Sequence, residues 1–344
     1  MKSAQLTGIR KFEIRDIEKP TIINPNDVLL RIGALGICGS DVHYFVDGRI
    51  GDQVLSYPVT PGHEFSAVVD QVGPNVASLK PGNRVAVEPA VSCGKCDQCK
   101  CGRQNTCRAL KFTGAPNERP GATSEFLVMP EENCFKIPDS MSLAQAACAE
   151  PLSIAIYALN YLNGRKIETA AILGAGPIGQ CVLLDAKYRG IPKVYITDKL
   201  DERLKTAQKA GADWIGNPDK NDVVKEMLAQ EPLQFDAVIE CSGDPAALDQ
   251  GMELLKPGGT LVIVGIPEDN RISFDMNLMR RREITIQPVR RQNECLGLAV
   301  ERIASGQINI DYLISHRGGL EDTQRFYELA AAYDDGVLKA VIEL

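Results

Sequence analysis

Residues 169–198 read TAAILGAGPIGQCVLLDAKYRGIPKVYITD, and the rest of the chain is organised by what this stretch implies. The short apolar run Thr169–Leu173 predicts a strand, and Gln180–Tyr188 predicts an amphipathic helix. Between them lies Gly174-Ala175-Gly176-Pro177-Ile178-Gly179. A second strand, Val194–Thr197, ends at Asp198, 22 positions after Gly176. A lone GxGxxG says little, but one set between strand and helix, with an acid closing the next strand, is the fingerprint of a dinucleotide site. Gly174 permits the tight turn, Gly176 admits a pyrophosphate to the backbone, and Gly179 lets helix and strand pack closely. The helix N-terminus then offers N–H groups and its positive dipole end to the phosphates. Asp198 suits ribose hydroxyls and would repel a 2′-phosphate, so NAD is expected over NADP. Lys199 and Arg203 lie near enough to oppose that preference, or are solvated charges at a helix start.

Further alternation follows. A helix is expected over Glu202–Ala210, strands over Phe235–Glu240 and Thr260–Val264, and helical material over 244–255. Small residues after these strands, with Val264 at the second strand's end, would line the ligand crevice of a doubly wound parallel sheet. The expected cofactor-binding set is thus Gly174, Gly176, Pro177, Ile178, Gly179, Asp198, Arg203 and Val264. Arg280-Arg281-Arg282 is expected as a solvated helix end.

Upstream, residues 1–150 read as short strands (Asp27–Ile32, Glu64–Val72, Arg84–Val87, Thr123–Met129) separated by Gly/Pro turns. Cys38 lies in the small-residue stretch GALGICGSDVHY (33–44), His63 and Glu64 in PGHE (61–64), and Glu150 in Ala149-Glu150-Pro151. Cysteine, histidine and carboxylate around one open position make the donor set of a catalytic rather than a structural zinc. A stronger local signal is Cys93-x2-Cys96-x2-Cys99-x7-Cys107, whose spacing can close a tetrahedron around a structural zinc. The polar residues between these thiols argue against a buried apolar cluster. Cys101, in the same loop, is either a spare thiol or a competing ligand. Past 289, helices over Glu294–Ile303 and Leu320–Tyr333 and a last strand, Lys339–Leu344, are expected to complete the first segment.

Composition narrows the function classes. The 344 residues are 44% hydrophobic and 24% charged, an ordinary globular balance for one or two domains. A net charge of −7 argues against a nucleic-acid or anionic-membrane surface. The start, MKSAQLTGIRKFEIRD, is not read as a secretory signal, and no stretch is read as a membrane span. Eleven cysteines, five of them within 93–107, fit metal binding and reduced thiols rather than disulfides. The cytoplasm is the expected compartment.

Taken together, GICGSDVHY, PGHE, the four-cysteine lobe, AEPLS at 149–153, GAGPIG and Val289-Arg290 resemble the zinc-containing medium-chain dehydrogenase/reductase family. The likeness is greatest to its sorbitol (polyol) dehydrogenase branch. It implies an α/β architecture: a GroES-like β catalytic domain (1–150, completed by 289–344) and a Rossmann NAD-binding domain (151–288), with the active site in the cleft between them. It implies two zinc ions per chain and NAD. Cys38 and His63 match catalytic-zinc ligands, Glu64 matches the carboxylate that ligates the metal or lies near it, and Glu150 matches a position that ligates zinc or holds its water. Ser40 matches a proton relay, and Tyr44 and Arg290 match substrate contacts. Arg291 departs from the Tyr common in that branch, which suits an acidic or phosphorylated substrate or else a surface arginine.

The expected function is hydride transfer from a secondary alcohol of a polyol or sugar acid to NAD. L-threonine dehydrogenase, a sugar-alcohol-phosphate dehydrogenase, a non-catalytic NAD-binding redox sensor and a zinc-stabilised scaffold are the alternatives. The resemblance also suggests a homo-oligomer, tetramer or dimer, joined through an edge strand around 284–289.

Overall fold

The computed structural model describes residues 1–267 and 271–344. The chain divides into two units: Met1–Glu150 with Asn293–Leu344, and Pro151–Gln292. The sequence put the return to the first unit at 289. It occurs four residues later because Val289 N still donates to Ile263 O in the second unit's sheet, whereas Asn293 Nδ2 donates to Gly102 O in the first.

The first unit is built on a seven-stranded sheet whose centre is Asp27–Gly36. Eight of this strand's ten residues are buried, Asp27 is partly exposed and Arg31 is exposed, so both faces are covered along most of its length. Antiparallel to it run Glu64–Val72, Phe126–Pro130 and Lys339–Glu343. Arg84–Val87 and Cys134–Lys136 extend one side, and Ile314–Gly318 the other. The strand expected at Thr123 starts at Phe126, since Thr123 N and Ser124 are taken up by Pro61 O and by a bridge to Ser3. Phe45, Phe65, Phe326 and Tyr327 are the bulkiest aromatics of the core.

Register decides what meets at one end of this sheet. Gly36 is paired with Glu64 on one side and with Val341 on the other, and Ile37 N donates to Ala340 O. Cys38, the His63-Glu64 pair and Lys339 therefore converge where three strands begin or end. Helix Gly39–Asp47 follows Cys38 at once and closes on Gly48 at φ +67.

The second unit is a six-stranded, wholly parallel sheet. Its strands, in chain order Thr169–Leu173, Lys193–Thr197, Trp214–Gly216, Phe235–Glu240, Leu255–Ile263 and Thr285–Pro288, lie side by side as 3-2-1-4-5-6. This is the doubly wound order, in which the direction of winding reverses between the first and fourth strands. The fifth strand begins at Leu255 rather than Thr260 because Leu255 also pairs with Phe235, across an irregularity at Pro257-Gly258-Gly259.

Candidate active site

Ligand atoms of Cys38, His63 and Glu64 lie within 4.8 Å of one another. A thiol, an imidazole and a carboxylate at that separation fit a zinc ion on donor chemistry. His63 is buried, with Nδ1 3.3 Å from Asp41 Oδ2. That carboxylate fixes the ring and leaves Nε2 as the nitrogen available to a metal. Burial opposes charging of His63, but Asp41 and the Cys38 sulfur outweigh it and hold the imidazole well above its usual range. Asp41 sits in the first turn of helix Gly39–Asp47, three residues after Cys38, so the same chain reversal supplies a ligand and the support for another.

Glu64 is held from the other side. Lys339 Nζ donates to both of its carboxylate oxygens and to Ile37 O. Sequence reasoning missed Lys339, which had no nearby motif to mark it, and passed over Asp41 although it lies inside GICGSDVHY.

Glu150 is buried at the start of helix Ala149–Asn160 and stands outside the grouped donors among the described residues. Burial pushes its carboxyl up to about 8, with the Glu64 and Glu88 charges adding and His63 opposing. Ser40 Oγ donates to Cys38 Sγ at 3.3 Å. Tyr44 is buried, its hydroxyl donating to Gln53 Oε1 at 3.2 Å. Arg290 and Arg291 belong to the second unit, just past strand Thr285–Pro288; Arg290 is exposed, and Arg291 is half-buried with φ +54.

The four lobe cysteines also come together, with sulfur pairs at 3.6 Å (Cys96–Cys99), 3.9 Å (Cys96–Cys107) and 4.0 Å (Cys93–Cys99). A zinc–sulfur length of 2.3 Å in a tetrahedron requires an edge of about 3.8 Å, so the lobe fits that ion. Backbone N–H groups of Cys99 and Arg108 lower Cys96 to about 6, which favours the thiolate that binds metal. Cys101 is exposed, donates to Gln98 O, and lies outside the group.

In the second unit the glycine turn has the expected close approaches. A methyl on Gly179 would lie 1.8 Å from Gly174 O, and Gly174 has φ +103. Gly176 precedes helix Pro177–Tyr188, whose first-turn proline needs no N–H partner. Pro177 and Ile178 are half-buried in that first turn. Asp198 accepts from Ala175 N at 2.7 Å and Leu200 N at 2.8 Å, tying the second strand to the turn while both oxygens keep a lone pair for ribose hydroxyls. A methyl on Gly176 would come within 3.4 Å of Arg203 Nη1, whereas Lys199 is committed to Asp244 at 2.8 Å. Val264 N is held by Glu240 O at the fifth strand's end. Bare backbone at the turn and a free helix N-terminus fit a dinucleotide.

Residues 24–139 match the alcohol dehydrogenase GroES-like domain family, and residues 177–305 match the zinc-binding dehydrogenase family. The chain is 36% identical over 343 residues to the sorbitol dehydrogenase of Bacillus subtilis, covering 99% of this chain and 97% of that protein. It is 33% identical over 336 residues to the L-idonate 5-dehydrogenase of Vitis vinifera, covering 96% and 91%. A solved structure described as a zinc-binding dehydrogenase of Sinorhizobium meliloti 1021, with NADP bound, superposes with a TM-score of 0.91 at 29% identity, covering 100% and 99%. No helix among the described residues is long and apolar enough to cross a membrane.

Proposed function

Since the chain belongs to the zinc-containing medium-chain dehydrogenase/reductase family, in its sorbitol dehydrogenase-like branch, and is a zinc-dependent polyol dehydrogenase, we propose that it oxidises a secondary hydroxyl of a neutral polyol of the sorbitol or xylitol kind with NAD. The observation that carries this reading is the convergence of Cys38, His63 and Glu64 on one point. When bound, zinc supplies a Lewis acid that acidifies the substrate alcohol, and NAD supplies the hydride acceptor.

Cys38, His63 and Glu64 would hold the first of two zinc ions, Cys93, Cys96, Cys99 and Cys107 the second, and Glu150 would serve as a water-holding or alternate ligand. Ser40 takes the proton lost by the substrate hydroxyl and passes it to water. Its place beside the Cys38 sulfur supports that role. Tyr44, which donates to Gln53, and Arg290 are assigned to the remaining substrate hydroxyls. Gly174, Gly176 and Gly179, with Pro177 and Ile178, take the pyrophosphate on bare backbone, Asp198 the adenosine ribose, and Val264 the far side of the crevice. Asp198 favours NAD over NADP, and Arg203 beside Gly176 favours a 2′-phosphate.

A second reading, a sugar acid, is favoured by the adjacent cations Arg290 and Arg291 and by the likeness to an L-idonate 5-dehydrogenase. We place the enzyme in the cytoplasm as a homodimer or homotetramer, consistent with eleven cysteines that form no disulfide and with Thr285–Pro288 as the edge strand of its sheet.

The test is NADH formation across sorbitol, xylitol, threonine, butanediol, a sugar acid and a sugar-alcohol phosphate, with and without a zinc chelator. Chelator-sensitive turnover of a neutral polyol supports the first reading. Turnover of the anionic substrates alone supports the second, and silence across the panel by protein with bound zinc and NAD overturns both.

A further inference from the structure

Glu240 ends the strand Phe235–Glu240, which opens the second half of the parallel sheet, and its side chain is 1% exposed. Its Oε1 accepts three bonds, from Ser242 N (2.5 Å), Gly243 N (2.7 Å) and Ser242 Oγ (2.7 Å). Its main-chain carbonyl accepts two more, from Val264 N (2.8 Å) and Gly265 N (3.1 Å). One residue thus ties together the loop after the fourth strand and the loop after the fifth.

The two loops are in van der Waals contact. A methyl on Gly265 would fall 2.3 Å from Gly243 N and 2.4 Å from Glu240 Oε2, and one on Gly243 would fall 2.5 Å from Ile266 O. The first loop also abuts the glycine turn, since a methyl on Gly174 would meet Ser242 N at 2.9 Å. Burial raises the Glu240 carboxyl above its usual range, and the hydrogen bonds to Oε1 that oppose this shift all come from loop atoms rather than from the strand's own neighbours.

In a doubly wound sheet each half binds one mononucleotide, and the loops at the carboxyl ends of its strands hold it. The glycine turn and Asp198 belong to the first half and serve the adenosine side. The loops joined by Glu240 belong to the second. We propose that Glu240 is a positioning residue for the nicotinamide half of the cofactor: it staples residues 241–243 to residues 264–266 as one rigid surface against which the redox ring is placed. The proposal rests on the reading that the second unit binds NAD.

The test compares NADH with ADP-ribose, which lacks nicotinamide, by titration calorimetry on the zinc-loaded protein and on the Glu240→Ala, Glu240→Gln and Gly265→Ala variants. Glu240→Ala and Gly265→Ala should weaken NADH binding by about tenfold or more while ADP-ribose stays within about twofold. Glu240→Gln keeps a carbonyl oxygen that can accept the same bonds and should stay near wild type for both ligands. Parallel loss of NADH and ADP-ribose binding, or unchanged NADH binding, overturns the proposal. Gly265→Ala, which keeps the Glu240 side chain and wedges the loops apart at Gly243 N and Glu240 Oε2, decides the matter if Glu240→Ala fails to fold. Wild-type protein that binds neither ligand overturns the underlying cofactor reading instead.

Discussion

Lys339 Nζ lies 2.6 Å from Glu64 Oε2 and 2.8 Å from Glu64 Oε1, and both side chains are 1% exposed although 275 residues separate them in the chain. An ammonium and a carboxylate withdrawn this far from water persist only because each satisfies the other, with the third ammonium proton going to Ile37 O. Burial opposes charging of Lys339, but the Glu64 carboxylate beside it outweighs that and holds the ammonium well above its usual range. Because the folded pKa is raised, its contribution to stability is present below the unfolded lysine value and lost only when alkali carries pH through the folded one.

Lys339→Met should therefore strand the Glu64 charge. In metal-free protein the expected loss is about 3–5 kcal/mol, read as a fall in the denaturation midpoint. Zinc should recover much of that loss, and its affinity in a chelator competition should rise, because Glu64 no longer has a competing cation. Unchanged metal-free stability would show that the pair does not hold Glu64.

Cys96→Ser should lower the zinc content by one ion per chain and reduce thermal stability while leaving the ion at Cys38 and His63. Cys101→Ser should change neither quantity, since Cys101 stands outside the four-sulfur group. Elemental analysis of both variants separates the two expectations.

Glu150 carries a pH signature in the metal-free protein. A carboxyl raised from 4.5 to about 8 by burial binds more protons folded than unfolded between those values. Stability should accordingly fall as pH rises across that window, by up to about 1.4 kcal/mol per pH unit. Glu150→Gln should flatten the profile in urea denaturation between pH 5 and pH 8, taken on protein stripped by chelation. An identical slope in the variant would assign the dependence elsewhere.

Asp198→Ala should cost NAD more than NADP. It removes both backbone bonds and the ribose acceptor, so kcat/KM with NAD should drop by about tenfold or more, and the ratio of NAD to NADP should fall with it. Steady-state kinetics with both cofactors and one polyol reads the ratio. A preserved ratio would locate cofactor choice at Arg203 or elsewhere.

What could be read directly from the sequence was local. The turn Gly174–Gly179 sits between elements only a few residues away, and backbone sterics alone demand glycine where a methyl would meet Gly174 O at 1.8 Å. The strand Thr169–Leu173 and the strand Phe235–Glu240 have the bounds their apolar runs predict. Cys93, Cys96, Cys99 and Cys107 lie within 15 residues, so spacing by itself brings four sulfurs within reach of one ion.

Sequence also named Cys38, His63 and Glu64, but their meeting depends on the register that pairs Gly36 with Glu64. Only the tertiary structure decided what surrounds them: Lys339 entering on the last strand, Asp41 turned back onto His63, Glu150 buried beside the grouped donors rather than among them, and Glu240 tying two loops together. Hydrogen bonds and ion pairs carry no sequence period, and burial, which makes them strong, is a property of the packed fold. A lysine near a chain's end reads as a surface residue until a central strand places it against a buried carboxylate.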